Sequence, residues 1–235
     1  MFSSFFESLH AARSLRLPTA AEALPGRAAS AFPVGVHARS GLPLRPPFPA
    51  DTAWLIVGMG CFWGAERRFW QQPGVVLTAA GYAGGHTPFP TYGEVCSGRT
   101  GHTEVVLVVY QPAETSLDAL VTVFLEAHDP TAGMRQGNDV GTQYRSALFP
   151  PAASVDHCAA RLSAYGQQLA GRGFGPITTE LRAGGAPDAF FYYAEPEHQQ
   201  YLHIRPDGYC GLRGTGVRCA SDAAPPSPRG PDAAR

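Results

Sequence analysis

Among the residues of this sequence, Cys61 has the surroundings that best suit a reactive side chain. It stands in the glycine-rich run 60–64, where an apolar strand pattern changes to a helical pattern. The first turn of a helix presents unpaired N–H groups and the positive end of the helix dipole, and both favour a thiolate. A cysteine in that place has a pKa below its usual value of about 8.5, whereas a small core cysteine is inert. We therefore predict that Cys61 is the nucleophile of a thiol-based redox enzyme.

Two further cysteines, Cys210 and Cys219, lie in a glycine-rich segment near the end of the chain. The sequence has five cysteines in all, an odd number that is too small for a disulfide-stapled scaffold. In a reducing compartment, thiols with glycine-rich neighbours indicate catalysis or metal binding. We predict that the remaining two, Cys96 and Cys158, are packing residues.

The composition and charge of the chain limit its partners. The 235 residues suffice for one well-buried domain, and 44% of them are hydrophobic. A net charge of -1 provides no long-range field for nucleic acid or an anionic membrane. No apolar run reaches the roughly 20 residues that cross a bilayer, and the N-terminus lacks a secretory pattern. We expect a cytoplasmic protein that binds neither nucleic acid nor membranes.

Hydrophobic periodicity predicts interleaved strands and helices in the middle of the chain. Strands are expected at 54–58, 75–82, 103–110, 145–149, 177–181 and 190–193, and helices at 61–71, 117–127 and 152–170. Since several strands can pair as antiparallel neighbours, we predict an α+β fold rather than a doubly wound parallel sheet. The predicted fold is a two-layer α/β sandwich with a mixed, largely antiparallel sheet, a ferredoxin-like core and extended termini.

Composition divides the chain into four parts. Residues 1–50 are rich in Ala, Pro, Arg and Ser and are predicted to form an extended N-terminal arm. Residues 51–205 form the predicted catalytic α+β domain, and residues 206–220 form a glycine-rich arm that carries the last two cysteines. Residues 221–235 are a low-complexity segment that cannot pack a core, and we predict that they are disordered.

A series of motifs resembles the signature of the peptide methionine sulfoxide reductase A family. The motifs are GCFWGAE at 60–66, GYAGG at 81–85, EVCSG at 94–98, GHTE at 101–104, HDP at 128–130, GNDVGTQYRS at 137–146, EHQQYL at 197–202 and GYCG at 208–211. The run ALPGR at 23–27 is similar to bacterial members with an N-terminal extension. The resemblance covers about residues 54–219. It implies an enzyme that reduces the S epimer of methionine sulfoxide, free or in proteins.

The resemblance also implies roles for the site residues. Cys61 attacks the sulfoxide sulfur, and Glu104 protonates the oxygen. The implied substrate-binding residues are Phe62, Trp63, Tyr92, Asp139, Tyr144 and Tyr201. In this scheme Phe62 and Trp63 hold the methyl group, and Tyr92 and Tyr144 bind the sulfoxide oxygen. Asp139 organises the polar side of the site. Without the resemblance, a lone glutamate in a strand indicates a solvated face, and a lone tyrosine indicates a core aromatic.

Cys61 and Glu104 constrain each other's charge if they meet in one site. At about 4 Å and an effective dielectric near 20, two like charges repel by roughly 4 kcal/mol, which corresponds to about 3 pKa units. A helix terminus does not readily offset a repulsion of that size. We therefore expect Glu104 to be protonated in the resting enzyme, as a general acid should be.

The resemblance further implies that three thiols act in sequence. A sulfenic acid on Cys61 condenses with Cys210, and the disulfide then passes to Cys210 and Cys219, where thioredoxin reduces it. Arg213 and Arg218 stand where the family has a glycine and a small residue. These arginines stiffen the arm or supply positive charge that favours the thiolates. We expect no metal, no cofactor and a monomeric protein.

A metal-binding module is one alternative from the residues alone. Cys210, Cys219, His198 and His203 cluster in the sequence. No C-x-x-C pair is present, however, and the two histidines are five residues apart rather than four. The spacing therefore disfavours a zinc site.

A thiol hydrolase is the other alternative. Its nucleophile would be Cys61, and its base would be a histidine such as His102 or His128. Such an enzyme has no use for the two cysteines of the glycine-rich arm. Replacing them would leave its turnover unchanged.

Overall fold

The structure is a computed structural model that describes residues 15–220. Residues 1–14 of the predicted arm and the tail predicted at 221–235 lie outside the described residues. The strands are β1 (Ala53–Met59), β2 (Val75–Ala83), β3 (Thr103–Tyr110), β4 (Arg135–Gln136), β5 (Asp139–Val140), β6 (Ser146–Phe149), β7 (Glu180–Leu181) and β8 (Tyr192–Tyr193). The helices are α1 (Phe62–Trp70), α2 (Tyr92–Cys96), α3 (Leu117–Ala127), α4 (Val155–Ala170), α5 (Pro187–Phe190) and α6 (Tyr201–Ile204).

Six of these strands form one sheet in the order β7-β6-β1-β3-β2-β8. Neighbouring strands are antiparallel except β6 and β7, which are parallel. Strands β4 and β5 form a separate antiparallel pair. The structure thus confirms a mixed, largely antiparallel sheet combined with helices.

One face of the sheet packs against α1, α3 and α4. Apolar side chains of these helices, among them Phe69, Phe124 and Leu162, form one core cluster with Leu55 of β1 and Val106 of β3. The helices form because their apolar residues recur at helical spacing and can be buried together on this face. Within residues 15–220, no helix has the length and apolar character needed to span a bilayer.

The N-terminal arm covers part of the opposite face. Its residues Val34, Leu42, Leu44 and Phe48 join a second core cluster that includes Ile56 of β1. Because both faces are covered, β3 is buried along its whole length. This double burial explains why β3 reads as an almost uninterrupted apolar run rather than as an alternating one.

Two predicted strands are shorter in the structure than expected. Of 177–181, only β7 pairs with the sheet, because Thr178 donates its N–H to the carbonyl oxygen of Pro130 at 2.8 Å instead. Of 190–193, only β8 pairs with the sheet. Pro187 stands at the start of α5, which occupies the preceding residues, and proline favours that helical position.

Four short elements were not predicted, namely the helices α2, α5 and α6 and the β4–β5 hairpin. Segments of two to five residues are too short to show a periodicity. A capping box starts α2, since the Thr91 hydroxyl accepts the N–H of Glu94 and the Glu94 carboxylate accepts the N–H of Thr91. This signal was present in the sequence.

Candidate active site

Cys61 occupies the N-cap position of α1, directly after β1 and Gly60. Gly60 has a φ of 88°, a left-handed conformation that glycine adopts without steric cost. This turn brings the thiol to the first turn of the helix, as the sequence predicts. The backbone N–H groups of Trp63 and Gly64 face the sulfur and lower the pKa of Cys61.

The net shift of the Cys61 pKa is nevertheless upward. Burial of the thiol is the largest cause, and the carboxyl groups of Glu104 and Asp139 add to it when they are ionised. Part of the residue surface remains accessible, but the protein around the sulfur removes enough water to outweigh the helix terminus. The expectation of a lowered pKa, drawn from the helix start alone, is therefore wrong for the resting structure.

Glu104 reaches Cys61 from the middle of the sheet. It lies on β3 opposite Tyr82 of β2, and its residue surface is only 1% exposed. Its Oε2 accepts the backbone N–H of Phe62, the first residue of α1, at 3.0 Å. The carboxyl group is thereby tied to the residue that follows Cys61.

Two of the implied oxygen-binding residues, Tyr92 and Tyr144, lie near Glu104. Burial raises the pKa of both phenols, and the charge of Glu104 is the second cause in each case. Both phenols therefore keep their protons and can donate hydrogen bonds. Tyr82, which the sequence did not indicate, also has its pKa raised by burial and by Glu104, and its hydroxyl donates to Glu195 Oε2 at 2.8 Å.

An aromatic cluster surrounds the indole of Trp63. Tyr201 stacks on it with ring centroids 4.1 Å apart. Trp63 Nε1 donates to His198 Nδ1 at 3.2 Å, and the imidazole lies 4.6 Å from the Tyr92 ring and 5.3 Å from the Phe62 ring. His198 thus joins the implied site residues, although the sequence suggested it only as a metal ligand. Its place beside Tyr201 in the motif at 197–202 was the available signal.

Asp139 lies at the start of β5 and contacts the glycine-rich arm. The Tyr209 hydroxyl donates to Asp139 Oδ2 at 3.2 Å. Burial, followed by the charge of Asp139, raises the pKa of Tyr209 to about 12. Sequence reasoning missed Tyr209, although it directly precedes Cys210.

Cys210 packs on the first turn of α1. A Cβ atom placed on Gly64 would lie 3.0 Å from Cys210 Sγ and 3.2 Å from the Cβ of Leu212. Glycine at this helical position therefore makes room for the second thiol. A cavity of about 370 Å³ beside it is lined in part by Arg67 and Arg68.

Cys219 contacts α3 and α4 through Glu126 and Arg161. Its backbone N–H donates to Glu126 Oε1 at 2.8 Å, and Arg218 pairs with the same carboxylate at 2.9 Å. Val217 is 5% exposed, and its carbonyl oxygen accepts the hydroxyl of Tyr165 at 2.9 Å. This part of the arm is therefore docked on the domain, and Cys219 is held by its neighbours rather than by Cys210.

The two histidines that a hydrolase would need have both ring nitrogens engaged elsewhere. His102 bonds to the N–H of Gly85 and the carbonyl oxygen of Thr87. His128 bonds to the carbonyl oxygen of Phe124 and the hydroxyl of Ser146. Burial is the largest cause that lowers the pKa of each imidazole to about 4. Neither histidine is placed as a base for Cys61.

The described residues also do not support the alternative of a metal-binding module. Across residues 15–220, no three His, Cys, Asp or Glu side chains lie together in a way that could hold a metal ion. His198 accepts a hydrogen bond from Trp63, and the His203 ring packs edge-on against Trp70. The two histidines of the suspected cluster therefore face different neighbours.

The comparisons with known proteins all indicate the same family. A family model described as peptide methionine sulfoxide reductase matches residues 53–222. The peptide methionine sulfoxide reductase MsrA of Rhodospirillum centenum is 62% identical over 205 residues, which cover 86% of this chain and 91% of the relative. The MsrA of Ectopseudomonas mendocina is 57% identical over 218 residues, which cover 92% of this chain and 95% of the relative.

Two solved structures are similar over most of their length. Methionine sulfoxide reductase A of Corynebacterium diphtheriae has a TM-score of 0.77 and 46% identity, and the match covers 87% of this chain and 98% of that one. Mxr1 from Saccharomyces cerevisiae in reduced form has a TM-score of 0.61 and 33% identity, covering 71% of this chain and 94% of that one. These matches confirm the resemblance seen in the motifs. The chain belongs to the peptide methionine sulfoxide reductase MsrA family and is an oxidoreductase enzyme.

Proposed function

We propose that the enzyme reduces methionine S-sulfoxide, free or in proteins, to methionine through a sulfenic acid on Cys61. The observation that carries the proposal is the position of Glu104. Its buried carboxyl group is bonded to Phe62 N–H beside the nucleophile and is close to two protonated tyrosines. A sulfoxide sulfur becomes electrophilic only when its oxygen is protonated or strongly hydrogen-bonded, and this arrangement supplies both.

In the first step, the sulfur of Cys61 attacks the sulfoxide sulfur. Glu104, protonated at rest, gives its proton to the sulfoxide oxygen, while Tyr92 and Tyr144 donate hydrogen bonds to it. The oxygen passes to Cys61, whose sulfur is oxidised by two electrons, and methionine leaves with its sulfur reduced by two electrons. The proton released by the Cys61 thiol returns to Glu104, so the acid is restored.

The raised pKa of Cys61 fits this sequence of events. The thiol is neutral at rest because burial, the largest cause, disfavours a negative charge on the sulfur, and Asp139 adds to this effect. A bound sulfoxide brings a positively polarised sulfur to the thiol, and this favours the thiolate only when substrate is present. The enzyme thereby avoids a permanently reactive thiolate.

The aromatic cluster holds the methyl group of the substrate. Phe62 and Trp63 flank the nucleophile, and sulfur–aromatic contacts contribute about 0.3–1.5 kcal/mol each, which orients a substrate without explaining the rate. His198 fixes the Trp63 indole from one side, and Tyr201 stacks against it. Asp139 completes the polar side of the pocket.

Cys210 resolves the sulfenic acid. Its thiol attacks Cys61, the sulfur–oxygen bond breaks, a disulfide forms and water leaves. Its position against Gly64 on the helix that Cys61 caps supports this role. Cys219 then attacks Cys210, freeing Cys61, and thioredoxin reduces the Cys210–Cys219 disulfide.

The second exchange requires a movement of the glycine-rich arm. A disulfide needs Cα atoms about 4.4–6.8 Å apart. Cys219 is bound to Glu126 on α3, whereas Cys210 packs on α1. Val217 must therefore leave the core, and the arm must release its contacts with Glu126, before the two thiols can join.

We also propose the remaining features expected from the sequence. The order β6-β1-β3-β2, with α1 and α3 as crossovers, supports a ferredoxin-like core within residues 51–205. The glycine-rich arm at 206–220 then serves as the element that carries the resolving cysteines. A cytoplasmic location and a monomeric state complete this proposal.

Reduction of the separate S and R epimers of methionine sulfoxide tests the function. We expect the wild-type protein to consume the S epimer with dithiothreitol or thioredoxin as reductant, and Cys61→Ser to consume neither. Cys219→Ser should keep turnover with dithiothreitol and lose it with thioredoxin. No consumption of either epimer by the wild type would overturn the proposal.

A further inference from the structure

We propose that Arg27, in the N-terminal arm, is a positioning residue that holds Tyr92 in place for the reaction. This inference rests on the proposed function, in which the Tyr92 hydroxyl binds the sulfoxide oxygen. Tyr92 is the first residue of α2, a helix of only five residues. Such a short helix gains little stability from its own hydrogen bonds, so its position depends on external contacts.

One guanidinium group contacts the chain on both sides of Tyr92. Arg27 Nη1 donates to the carbonyl oxygen of Phe89 at 2.7 Å, before the helix. Arg27 Nη1 and Nη2 also donate to the two carboxylate oxygens of Glu94 at 2.8 Å each, within the helix. A bidentate arginine–carboxylate pair fixes direction as well as distance.

Both anchoring points need external support. Phe89 has a φ of 46°, a left-handed conformation that is unfavourable for a residue other than glycine. Glu94 also closes the capping box with Thr91, so the contact with Arg27 restrains the start of α2 directly. Because one guanidinium group holds both the Phe89 carbonyl and the Glu94 carboxylate, Tyr92 between them has little freedom to shift.

The arm is itself seated firmly enough to act as a support. Leu24 donates its N–H to the carbonyl oxygen of Arg99 at 3.0 Å, and Arg27 donates its N–H to that of Pro88 at 3.1 Å. Gly26 has a φ of 70°, and any Cβ at this position would collide with the backbone of Pro88. Glycine is therefore required for the arm to approach this closely.

The arm thus has a role beyond covering the sheet. Arg27 lies 65 residues before Tyr92 in the sequence, yet its contacts restrain the segment on either side of the tyrosine. Glu195 Oε1, which accepts the Tyr92 N–H at 2.7 Å, holds the same residue from another side. Misplacing a catalytic group by about 1 Å costs up to roughly a hundredfold in rate. A lysine cannot replace this arginine, since a point charge does not bridge a carboxylate and a carbonyl group in a fixed geometry.

A double-mutant cycle tests whether Arg27 acts through Tyr92. Arg27→Ala and Arg27→Lys are made in the wild type and in Tyr92→Phe, and methionine formation is followed in a single turnover with the S epimer. We expect either Arg27 change to slow this turnover by about ten- to a hundredfold in the wild-type background. In the Tyr92→Phe background the same change should cost less than about twofold, because the hydroxyl is already absent.

Arg16→Ala is the control, because Arg16 forms an exposed ion pair with Glu22 inside the same arm. It should leave the rate unchanged. An equal loss in both backgrounds, or no loss on changing Arg27, would overturn the inference. Arg27→Lys keeps the charge beside Glu94 and decides the question if Arg27→Ala does not fold. A wild type that forms no methionine, or a Tyr92→Phe variant at full rate, would instead overturn the proposed function.

Discussion

The backbone N–H of Phe62 donates to Oε2 of Glu104 at 3.0 Å, which fixes the candidate acid to the first residue of the nucleophile's helix. The two residues come from separate parts of the chain, since α1 follows β1 and Glu104 lies on β3. The bond therefore links the start of α1, which Cys61 caps, to the carboxyl group on β3. The bond couples the two reacting groups of the proposed mechanism.

Glu104→Gln should abolish most of the activity without raising the pKa of Cys61. The variant removes the acid, and loss of general-acid catalysis costs roughly 10²–10⁴-fold. The pKa of Cys61 should stay near its wild-type value, because a protonated Glu104 and a glutamine are both neutral. Methionine formation in a single turnover gives the rate, and alkylation of Cys61 as a function of pH gives the pKa.

Glu114→Gln, an exposed change of the same type, serves as the reference for this experiment. The alkylation is carried out with Cys210 and Cys219 replaced by serine so that one reactive thiol is observed. A clear downward shift of the Cys61 pKa in Glu104→Gln would contradict a protonated Glu104 at rest, because an ionised carboxylate is a charge that raises this pKa.

His198→Ala should weaken substrate binding. The Trp63 indole loses the acceptor of its N–H, and a hydrogen bond of this kind contributes about 0.5–1.5 kcal/mol. We expect KM for the sulfoxide to rise by roughly two- to tenfold, with a smaller change in kcat. His198→Asn should restore much of the binding, because its side-chain oxygen can accept the same N–H.

His203→Ala provides the comparison, since this exposed ring packs against Trp70 outside the aromatic cluster. It should leave KM unchanged. If His198→Asn is impaired as strongly as His198→Ala, the acceptor is not what positions Trp63.

Gly64→Ala should slow the resolving step and spare the first one. The added Cβ would meet Cys210 Sγ at 3.0 Å and displace it, while the backbone N–H that faces Cys61 is retained. We expect formation of the Cys61–Cys210 disulfide to slow by about tenfold or more, and the sulfenic acid to accumulate. Trapping the sulfenic acid with dimedone and measuring its mass follows this intermediate over time.

Gly175→Ala adds the same methyl group at a site with no neighbouring atom within 4 Å. It should leave both steps unchanged. Disulfide formation at the wild-type rate in Gly64→Ala would show that the position of Cys210 against α1 does not matter for resolution.

Glu66 should make the stability of the enzyme depend on pH near neutrality. Burial raises the pKa of this fully buried carboxyl to about 7, although Gln200 and Thr78 donate hydrogen bonds to it. The pKa of Glu66 is higher in the folded than in the unfolded protein. The contribution of Glu66 to the free energy of unfolding is therefore fully present below about pH 4.5 and is lost as the pH rises through about 7. The change between the two limits is about 3 kcal/mol.

Urea unfolding of the wild type and of Glu66→Gln between pH 5 and pH 9 checks this pH dependence. The quantity compared is the difference in free energy of unfolding between the two proteins. The wild type should lose stability relative to the variant as the pH rises. A difference that is constant over this range would contradict the raised pKa.

Much of the fold could be predicted because long elements carry their own periodicity. Strand β3 and helix α3 were predicted with the bounds that the structure has, since each buries a continuous or amphipathic set of apolar residues. Shorter elements such as β7 and α5 depend on single contacts, for example the bond from Thr178 to Pro130, which no local pattern reveals.

The candidate site likewise contains residues that the local sequence indicates and residues that only long-range contacts reveal. Cys61 and its helix start were evident from the local sequence, and the motifs were sufficient to indicate the family. His198, Tyr209 and Arg27 were not identified as site or positioning residues, because their contacts join segments that are distant along the chain. Spacing carries no information about such contacts.

The sequence by itself indicated Cys61 as the candidate nucleophile, and it determined the family motifs and the long elements of the sheet and helices. Tertiary structure alone decided the direction of the Cys61 pKa shift, the partner of Glu104 and the contact of Cys219 with Glu126. The physical reason is that periodicity and helix termini are local properties. Burial and Coulomb interactions depend on distances in space, and only the folded chain fixes those distances.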